Sequence, residues 1–309
     1  MWFRSIFGRK ARADAPAPLF DEALLRRLDR VSLLAPRRLR GRSIVGEHPS
    51  ARLVPTSIFD DHRRYSPGDD IRSIDWNAYA HQNVLYVKLG EIEQDINVHL
   101  LYDRSRSMGT GRPSKHDAAQ RLTAALGYLA LTRHDRLRIS AFDESLHAVF
   151  GPAQGKARLV EMVRSIEGLA SSGGSSSLGD ALTRLAARHR DGGILVIISD
   201  LLSSDDLADG LRALALPAWR VVVIHLLAPD ELIPPALGSV ELEDSEQGGR
   251  LALVIDDEAA AAYRRALARW QNQLVATCAA RGATYARVMS DWPIEQQVVP
   301  YLRARRVLG

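Results

Sequence analysis

The sequence contains very little cysteine and no long hydrophobic run. Cys278 is the single cysteine among 309 residues, so no disulfide framework can form, and a reducing compartment is expected. The longest apolar runs are residues 194–198 and residues 221–228, the second interrupted by His225. Both are strand-sized and far shorter than a membrane span. No apolar core follows the basic residues near the start, which argues against a signal peptide and favours a cytoplasmic protein.

The positive charge is confined to the N-terminal part. The whole chain carries 41 Lys and Arg against 37 Asp and Glu; residues 1–42 carry 11 against 4, so the other 267 residues carry 30 against 33. A basic nucleic-acid face across the protein is therefore not expected. Residues 1–12 mix aromatic, aliphatic and basic side chains. They suit either a weak contact with an anionic membrane surface, peripheral to the inner membrane, or a frayed terminus.

Hydrophobic patterning divides the chain into three parts. Residues 1–18 read as a basic amphipathic tail and a Pro/Ala linker, and residues 19–92 as a helix followed by a β-rich region with short pieces between Gly and Pro. From residue 93 to 309, apolar strands alternate with amphipathic helices. This alternation predicts an α/β fold, a doubly wound, mostly parallel sheet of the Rossmann type, with a smaller N-terminal β-rich extension.

A D-x-S-x-S pattern follows the first predicted strand of this region, Ile96 to Tyr102. Asp103, Ser105 and Ser107 occupy its alternate positions, and they offer only oxygen ligands, with no imidazole or thiolate beside them. Oxygen ligands suit magnesium, manganese or calcium and do not suit zinc. Because magnesium prefers about six oxygens, further ligands must come from distant segments.

Two other segments can supply them. Ser175, Ser176 and Ser177 close a Gly-Ser loop before a helix, and Asp200 ends the strand Ile194 to Ser199. Parallel sheets place their ligands at the carboxyl ends of the strands. We therefore predict that these oxygens converge with Asp103 on one cation.

Together these residues resemble the metal-ion-dependent adhesion site (MIDAS) of von Willebrand factor A domains. In that family an Asp and two Ser bind the cation with a loop Thr and a second Asp, and a carboxylate of the bound partner completes the shell. The resemblance implies that Asp103, Ser105, Ser107, Ser176 and Asp200 bind Mg²⁺, with Mn²⁺ or Ca²⁺ as substitutes. Ser176 stands where the family has Thr, and Ser175 and Ser177 are the alternative hydroxyl ligands.

A second stretch, residues 64–76, reads Arg-Tyr-Ser-Pro-Gly-Asp-Asp-Ile-Arg-Ser-Ile-Asp-Trp. It is similar to the signature of a bacterial family known as domain of unknown function 58, which places it before a von Willebrand A-like domain. The chain resembles the short form of that family, which lacks membrane helices. The resemblance implies a partnership with a MoxR-type AAA+ ATPase or its client.

The predicted function is thus a non-enzymatic, cation-dependent protein-binding module, an adaptor or co-chaperone in protein maturation or stress response. The alternative is a metal-dependent hydrolase or phosphotransferase that uses Asp103. A phosphotransferase of the haloacid-dehalogenase kind would have a second carboxylate where this chain has Ser105, and the Gly-Ser loop lacks the G-x-S-x-G pattern of hydrolases.

Overall fold

The computed structural model describes a chain that divides into two compact units. One unit comprises Met1–Pro36 with Ile96–Gly309, and the other comprises Arg37–Asp95. The structure describes residues 19, 28, 29, 31–33, 61–67, 71, 74–89, 96–171, 174, 177–202, 207–215, 218–232, 238–243 and 250–309. The predicted tail, residues 1–18, lies outside the described residues, so its membrane contact stays a prediction.

The larger unit alternates strands and helices, as its hydrophobic pattern predicts. Its strands are β3 (Asn97–Asp103), β4 (Arg136–Phe142), β5 (Leu146–Ala153), β6 (Gly193–Ser199), β7 (Trp219–Leu227), β8 (Gly238–Glu243), β9 (Arg250–Ile255) and β10 (Thr284–Met289). Its helices are α2 (Lys115–Thr132), α3 (Leu159–Glu167), α4 (Leu178–Arg188), α5 (Leu207–Ala213), α6 (Pro229–Leu232), α7 (Asp257–Ala280) and α8 (Val299–Ala304). Short 3₁₀ turns cover Arg106–Gly109 and Lys156–Arg158.

Six of these strands form one sheet in the order β10-β7-β6-β3-β4-β5. Every neighbouring pair is parallel except β4 with β5. Only three residues, 143–145, separate β5 from β4, which is too short for the crossover that a parallel pair needs. The mostly parallel α/β sheet predicted from the sequence is confirmed.

Helices cover both faces of this sheet. On one face, α4, α5 and α7 pack against Leu195 and Ile197 of β6 and Val221 and Val223 of β7 in a single buried cluster. The alternate residues of β6 point to the opposite face and are also buried. This double coverage explains why the central strands are continuous apolar runs and not alternating ones.

Gly193 is a position where the close approach of β6 to β3 requires glycine. Its φ is +141°, and an added Cβ would lie 2.2 Å from the Asn97 carbonyl oxygen. We expect Gly193→Ala to lower the free energy of unfolding by roughly 2–3 kcal/mol, since backbone atoms must move. Gly282→Ala is the matched control, because φ is +62° there but nothing lies within 4 Å. Urea unfolding followed by circular dichroism should show the larger loss at Gly193, and equal losses would contradict the steric argument.

The smaller unit contains a two-stranded antiparallel sheet of β1 (Asp61–Arg64) and β2 (Tyr86–Leu89), with α1 (Trp76–Gln82) between them. Asp75 caps α1 by accepting hydrogen bonds from the Asn77 and Ala78 amides, at 3.0 and 3.1 Å. Asp75, near the end of the signature stretch 64–76, thus has a local structural role. Within the part of the chain that the structure describes, no helix is long and apolar enough to span a bilayer.

Hydrophobic spacing predicts one helix from Lys156 to Leu169 and another from Ile294 to Arg305, and the structure divides both. The first begins as a 3₁₀ turn and continues as α3, ending at Glu167. The second is a π-helix over Ile294–Val298 followed by α8. Hydrophobic spacing does not distinguish these hydrogen-bond patterns over one or two turns.

Candidate functional site

Asp103 is the last residue of the central strand β3, and its carboxylate is almost completely buried. Its side chain is 1% exposed. One oxygen, Oδ1, accepts a hydrogen bond from the Ser105 amide at 2.8 Å, and Oδ2 accepts one from the Ser199 hydroxyl at 2.7 Å. These two bonds fix the carboxylate between the turn that follows β3 and the end of β6.

Ser105 and Ser107 lie beside this carboxylate in the 3₁₀ turn that follows the strand. Both are buried, at 0% and 1% exposure, and their hydroxyl oxygens are 3.1 Å apart. The Arg106 amide between them donates to the Gly174 carbonyl at 3.2 Å, so this part of the Gly-Ser loop reaches the same edge of the sheet. The side-chain oxygens of three of the five predicted site residues, Asp103, Ser105 and Ser107, therefore lie together.

Asp200 follows β6, the strand that pairs with β3. It is 2% exposed, and Oδ2 accepts a hydrogen bond from the Lys115 ammonium at 2.8 Å. Lys115 begins α2, is completely buried, and also contacts Oε1 of Glu231. Glu231 in turn accepts from the Ala228 amide at 2.7 Å, which fixes the segment after β7. Carboxylates from two neighbouring strand ends thus meet one buried ammonium.

The electrostatics of this region are unfavourable for two charged carboxylates. Burial and the nearby Asp200 carboxylate raise the pKa of Asp103 to about 6, although the hydrogen bonds from Ser105 and Ser199 act in the opposite direction. Burial alone would lower the pKa of Lys115, but the Asp200 and Glu231 carboxylates outweigh it and raise that pKa. Burial and the Asp200 carboxylate therefore both disfavour the ionised form of Asp103.

These residues fit a hard divalent cation. Asp103, Asp200 and Glu231 contribute three negative charges and Lys115 contributes one positive charge, which leaves a net charge of −2. The oxygens at hand are carboxylates and hydroxyls, which magnesium and calcium prefer. Among the described residues, no group of three or more His, Cys, Asp or Glu is arranged to hold a metal. A cation here would thus depend on hydroxyl ligands as well as carboxylates.

The fifth predicted ligand, Ser176, lies outside the described residues, as does Ser175. Its neighbours Gly174 and Ser177 are described, and the Ser177 amide donates to the Asp143 carbonyl at 3.1 Å. Ser177 therefore lies against the turn after β4, the strand that pairs with β3. The role of Ser176 stays a prediction.

The two arginines between the predicted ligands differ in their surroundings. Arg104 lies 3.5 Å from a carboxylate oxygen of Asp143, and both side chains are largely buried. Arg106 is exposed. Of the two arginines, Arg106 is the one that is accessible to a partner.

Sequence reasoning missed Lys115, Ser199 and Glu231 as members of this site. Ser199 directly precedes Asp200, so its position at the strand end was an available signal. Lys115 gives no local signal, because a lysine in the first turn of a helix is usually solvated. Its partners Asp200 and Glu231 are 85 and 116 residues away in the chain.

Comparison with known proteins places the chain among bacterial relatives. Residues 61–273, more than half of the chain, match the model of a family described as protein of unknown function DUF58. The chain belongs to this family. DUF58 relatives include the uncharacterized proteins Rv1480 of Mycobacterium tuberculosis and Mb1516 of Mycobacterium bovis, each 27% identical over 290 residues, covering 93% of this chain and 91% of the relative.

Two solved structures are similar at lower identity. One is a conserved hypothetical protein, BatB, from Bacteroides thetaiotaomicron, with 13% identity, and the other is an aerotolerance-related membrane protein from Bacteroides fragilis, with 15% identity. Both have a TM-score of 0.43 and cover 68% of this chain and 98% of their own.

Proposed function

We propose that this DUF58 protein is a non-enzymatic protein-binding module whose larger unit is a von Willebrand factor A-like domain. A divalent cation, preferentially Mg²⁺, is held by Asp103, Ser105, Ser107 and Ser176, and by Asp200 directly or through water. An acidic side chain of a partner protein completes the coordination. The partner is a MoxR-type AAA+ ATPase or its client, and the protein acts in the cytoplasm as an adaptor or co-chaperone.

The observation that supports this proposal best is the pair of buried carboxylates at adjacent strand ends. Asp103 ends β3 and Asp200 follows β6, and the proximity of Asp200 raises the pKa of Asp103. Two buried like charges are unfavourable unless a cation or a proton compensates them. With two hydroxyls beside them, the oxygens are of the kind that Mg²⁺ binds.

The surface around these buried oxygens supports partner binding. Arg106 is exposed between the two predicted serine ligands, and Leu202, two residues after Asp200, is 54% exposed. A guanidinium and an apolar side chain beside an incompletely coordinated dication would favour an acidic side chain with apolar neighbours. The cation then makes binding specific for a carboxylate, and the surrounding Arg106 and Leu202 side chains add contact area.

The contacts of the described residues give less support to the enzymatic alternative. Asp103 is 1% exposed and both of its oxygens accept hydrogen bonds, so it is poorly placed to attack a substrate. Ser145, His147 and Asp143 lie together, but the same ring nitrogen, His147 Nε2, is 2.9 Å from both partners. A hydrolase relay needs the Ser and the Asp on opposite nitrogens of the imidazole.

Cation binding and partner capture test the proposal in two steps. Isothermal titration should first show one Mg²⁺ or Mn²⁺ site per chain that Asp103→Ala abolishes. The purified MoxR-type ATPase of the same organism should then be retained by the immobilised wild-type protein in Mg²⁺ and released by chelator. Asp103→Ala should retain no more ATPase than the chelator-treated wild type.

The matched control is Asp209→Ala, which removes an exposed carboxylate on α5 (71% exposed) that contacts Arg212. It should bind the cation and the ATPase as the wild type does. ATPase capture that stays at the level of the wild type in Mg²⁺, both for the wild type in chelator and for Asp103→Ala, would reject the cation-dependent mechanism. Loss of capture by Asp209→Ala would show that surface charge, and not the site, governs binding.

A further inference from the structure

Lys115 is an unusual neighbour for a cation site. Its ammonium is completely buried and donates to Asp200 Oδ2 at 2.8 Å, so it already occupies one oxygen of a predicted ligand. It also contacts Glu231, whose side chain is 26% exposed. A positive charge in this position repels any cation that approaches Asp200.

We infer that Lys115 sets the affinity of this site for divalent cations, by competing with the ion for the Asp200 carboxylate. The inference rests on the proposed function and deepens it. Without the ammonium, Asp103, Asp200 and Glu231 would present three negative charges to the ion; with it, they present a net of −2. The internal ammonium therefore weakens binding and keeps the ion exchangeable, so that a partner's carboxylate contributes a larger share of the total coordination.

Glu231 has the opposite effect to Lys115, because it favours cation binding at this site. It shares the Lys115 ammonium with Asp200 and so reduces the hold of Lys115 on that ligand. It is anchored by the Ala228 amide at 2.7 Å, and its own carbonyl accepts from the Tyr263 hydroxyl at 2.6 Å. Removing its charge would leave Lys115 with Asp200 as its anionic partner and reduce the negative potential at the ion.

The test measures Mn²⁺ binding to the purified full-length protein at fixed pH and ionic strength, by electron paramagnetic resonance of free Mn²⁺. We expect Lys115→Met to bind Mn²⁺ more tightly by at least about tenfold, since one repelling charge is removed from a buried site. Glu231→Gln should bind about three- to tenfold more weakly for the converse reason. Lys115→Arg keeps the charge and should stay within about threefold of the wild type.

The double variant Lys115→Met with Glu231→Gln removes one charge of each sign and leaves the net at −2. It should return the Mn²⁺ affinity to within about threefold of the wild type, as charge compensation requires. If Lys115→Met does not fold, Glu231→Gln and Lys115→Arg keep the test valid, because both retain a cation beside the buried Asp200 carboxylate.

The outcomes separate the inference from the proposed function. A wild type that binds no Mn²⁺ would overturn both. A wild type that binds Mn²⁺ through Asp103, with Lys115→Met equal to or weaker than the wild type and the double variant weaker still, would overturn the inference alone. A merely structural role for Lys115 predicts loss of binding in both Lys115→Met and Lys115→Arg, whereas charge competition predicts a gain only in the methionine variant.

Discussion

Asp103→Asn is expected to stabilise the cation-free protein by about 3 kcal/mol near pH 7.5. Burial and the Asp200 carboxylate raise the pKa of Asp103 from 3.8 to about 6, and a shift of about two pH units corresponds to about 3 kcal/mol. Because the folded pKa is raised, the ionised group destabilises the fold fully above pH 6, and this effect disappears below the unfolded pKa near 4. Asparagine has nearly the same shape and carries no charge.

The hydrogen bonds of Asp103 can be retained in this variant. An asparagine oxygen can accept from the Ser105 amide, and its NH₂ group can donate to the Ser199 hydroxyl oxygen, which also accepts from the Leu201 amide at 2.9 Å. The substitution thus changes the charge far more than the packing. This separation makes Asp103→Asn more informative about stability than Asp103→Ala.

The measurement is urea unfolding of both proteins in chelator and in excess Mg²⁺. At a Mg²⁺ concentration of about one hundred times Kd, the wild type should gain about 2.7 kcal/mol, and Asp103→Asn should gain nothing. Asp209→Asn, at an exposed carboxylate, should follow the wild type under both conditions. If Asp103→Asn instead destabilises the protein in chelator, the carboxylate contributes more through its hydrogen bonds than it loses through repulsion.

The sequence was sufficient to place Asp103 and Asp200 on neighbouring strand ends. Both follow continuous apolar runs, which form strands buried on both faces, and β3 and β6 do pair in parallel, from Val98 with Ile194 to Tyr102 with Ile198. Their positions follow from local patterns and from the rule that parallel strands share one carboxyl edge. The local pattern also predicts the positions of Ser105 and Ser107, because the turn after β3 alone brings them beside Asp103.

Lys115 and Glu231 could not be predicted in the same way. A lysine at the start of an amphipathic helix has the same local pattern whether it is solvated or buried, and its burial depends on two acids from distant segments. The apolar pattern likewise predicts a strand near Leu146 to Phe150 but not the antiparallel direction that β5 has at the sheet edge. Its direction follows only once β5 is known to pair with β4, because the connection 143–145 is too short for the crossover of a parallel pair.

Acidification between pH 6.5 and 4 is expected to destabilise the protein in chelator, mainly through two buried histidines. Burial, with His189 and Arg138 nearby, lowers the pKa of His99 to about 3, and burial with the Lys115 charge lowers that of His225 to about 4 despite the opposing effect of Asp200. Histidines of the unfolded chain gain a proton below pH 6.5, whereas these two remain neutral in the fold. Each therefore loses its stabilising contribution as the pH falls toward its folded pKa.

The titration of Asp103 opposes that of the two histidines over part of this pH range. The net number of protons bound on unfolding therefore decides how stability changes with pH. Near pH 5, unfolding binds about two protons at His99 and His225 and releases about one at Asp103, so about one proton is taken up. The free energy of unfolding should therefore fall by about 1.4 kcal/mol for each unit of acidification. Removing Asp103 should double this slope, and removing one histidine should flatten it.

His99→Phe is the variant that tests this expectation. The His99 ring is 2% exposed and packs against His189 and Trp219, with centroid distances of 4.6 and 5.0 Å, so phenylalanine fits an aromatic environment. Urea unfolding from pH 4.5 to 6.5 in chelator should show a slope near zero for His99→Phe, near 1.4 kcal/mol per pH unit for wild type and near 2.8 for Asp103→Asn. The control His81→Phe, at an exposed position of α1, should keep the wild-type slope. A His99→Phe slope equal to that of the wild type would mean that His99 titrates alike in the folded and unfolded chain, and the acid sensitivity would then have another origin.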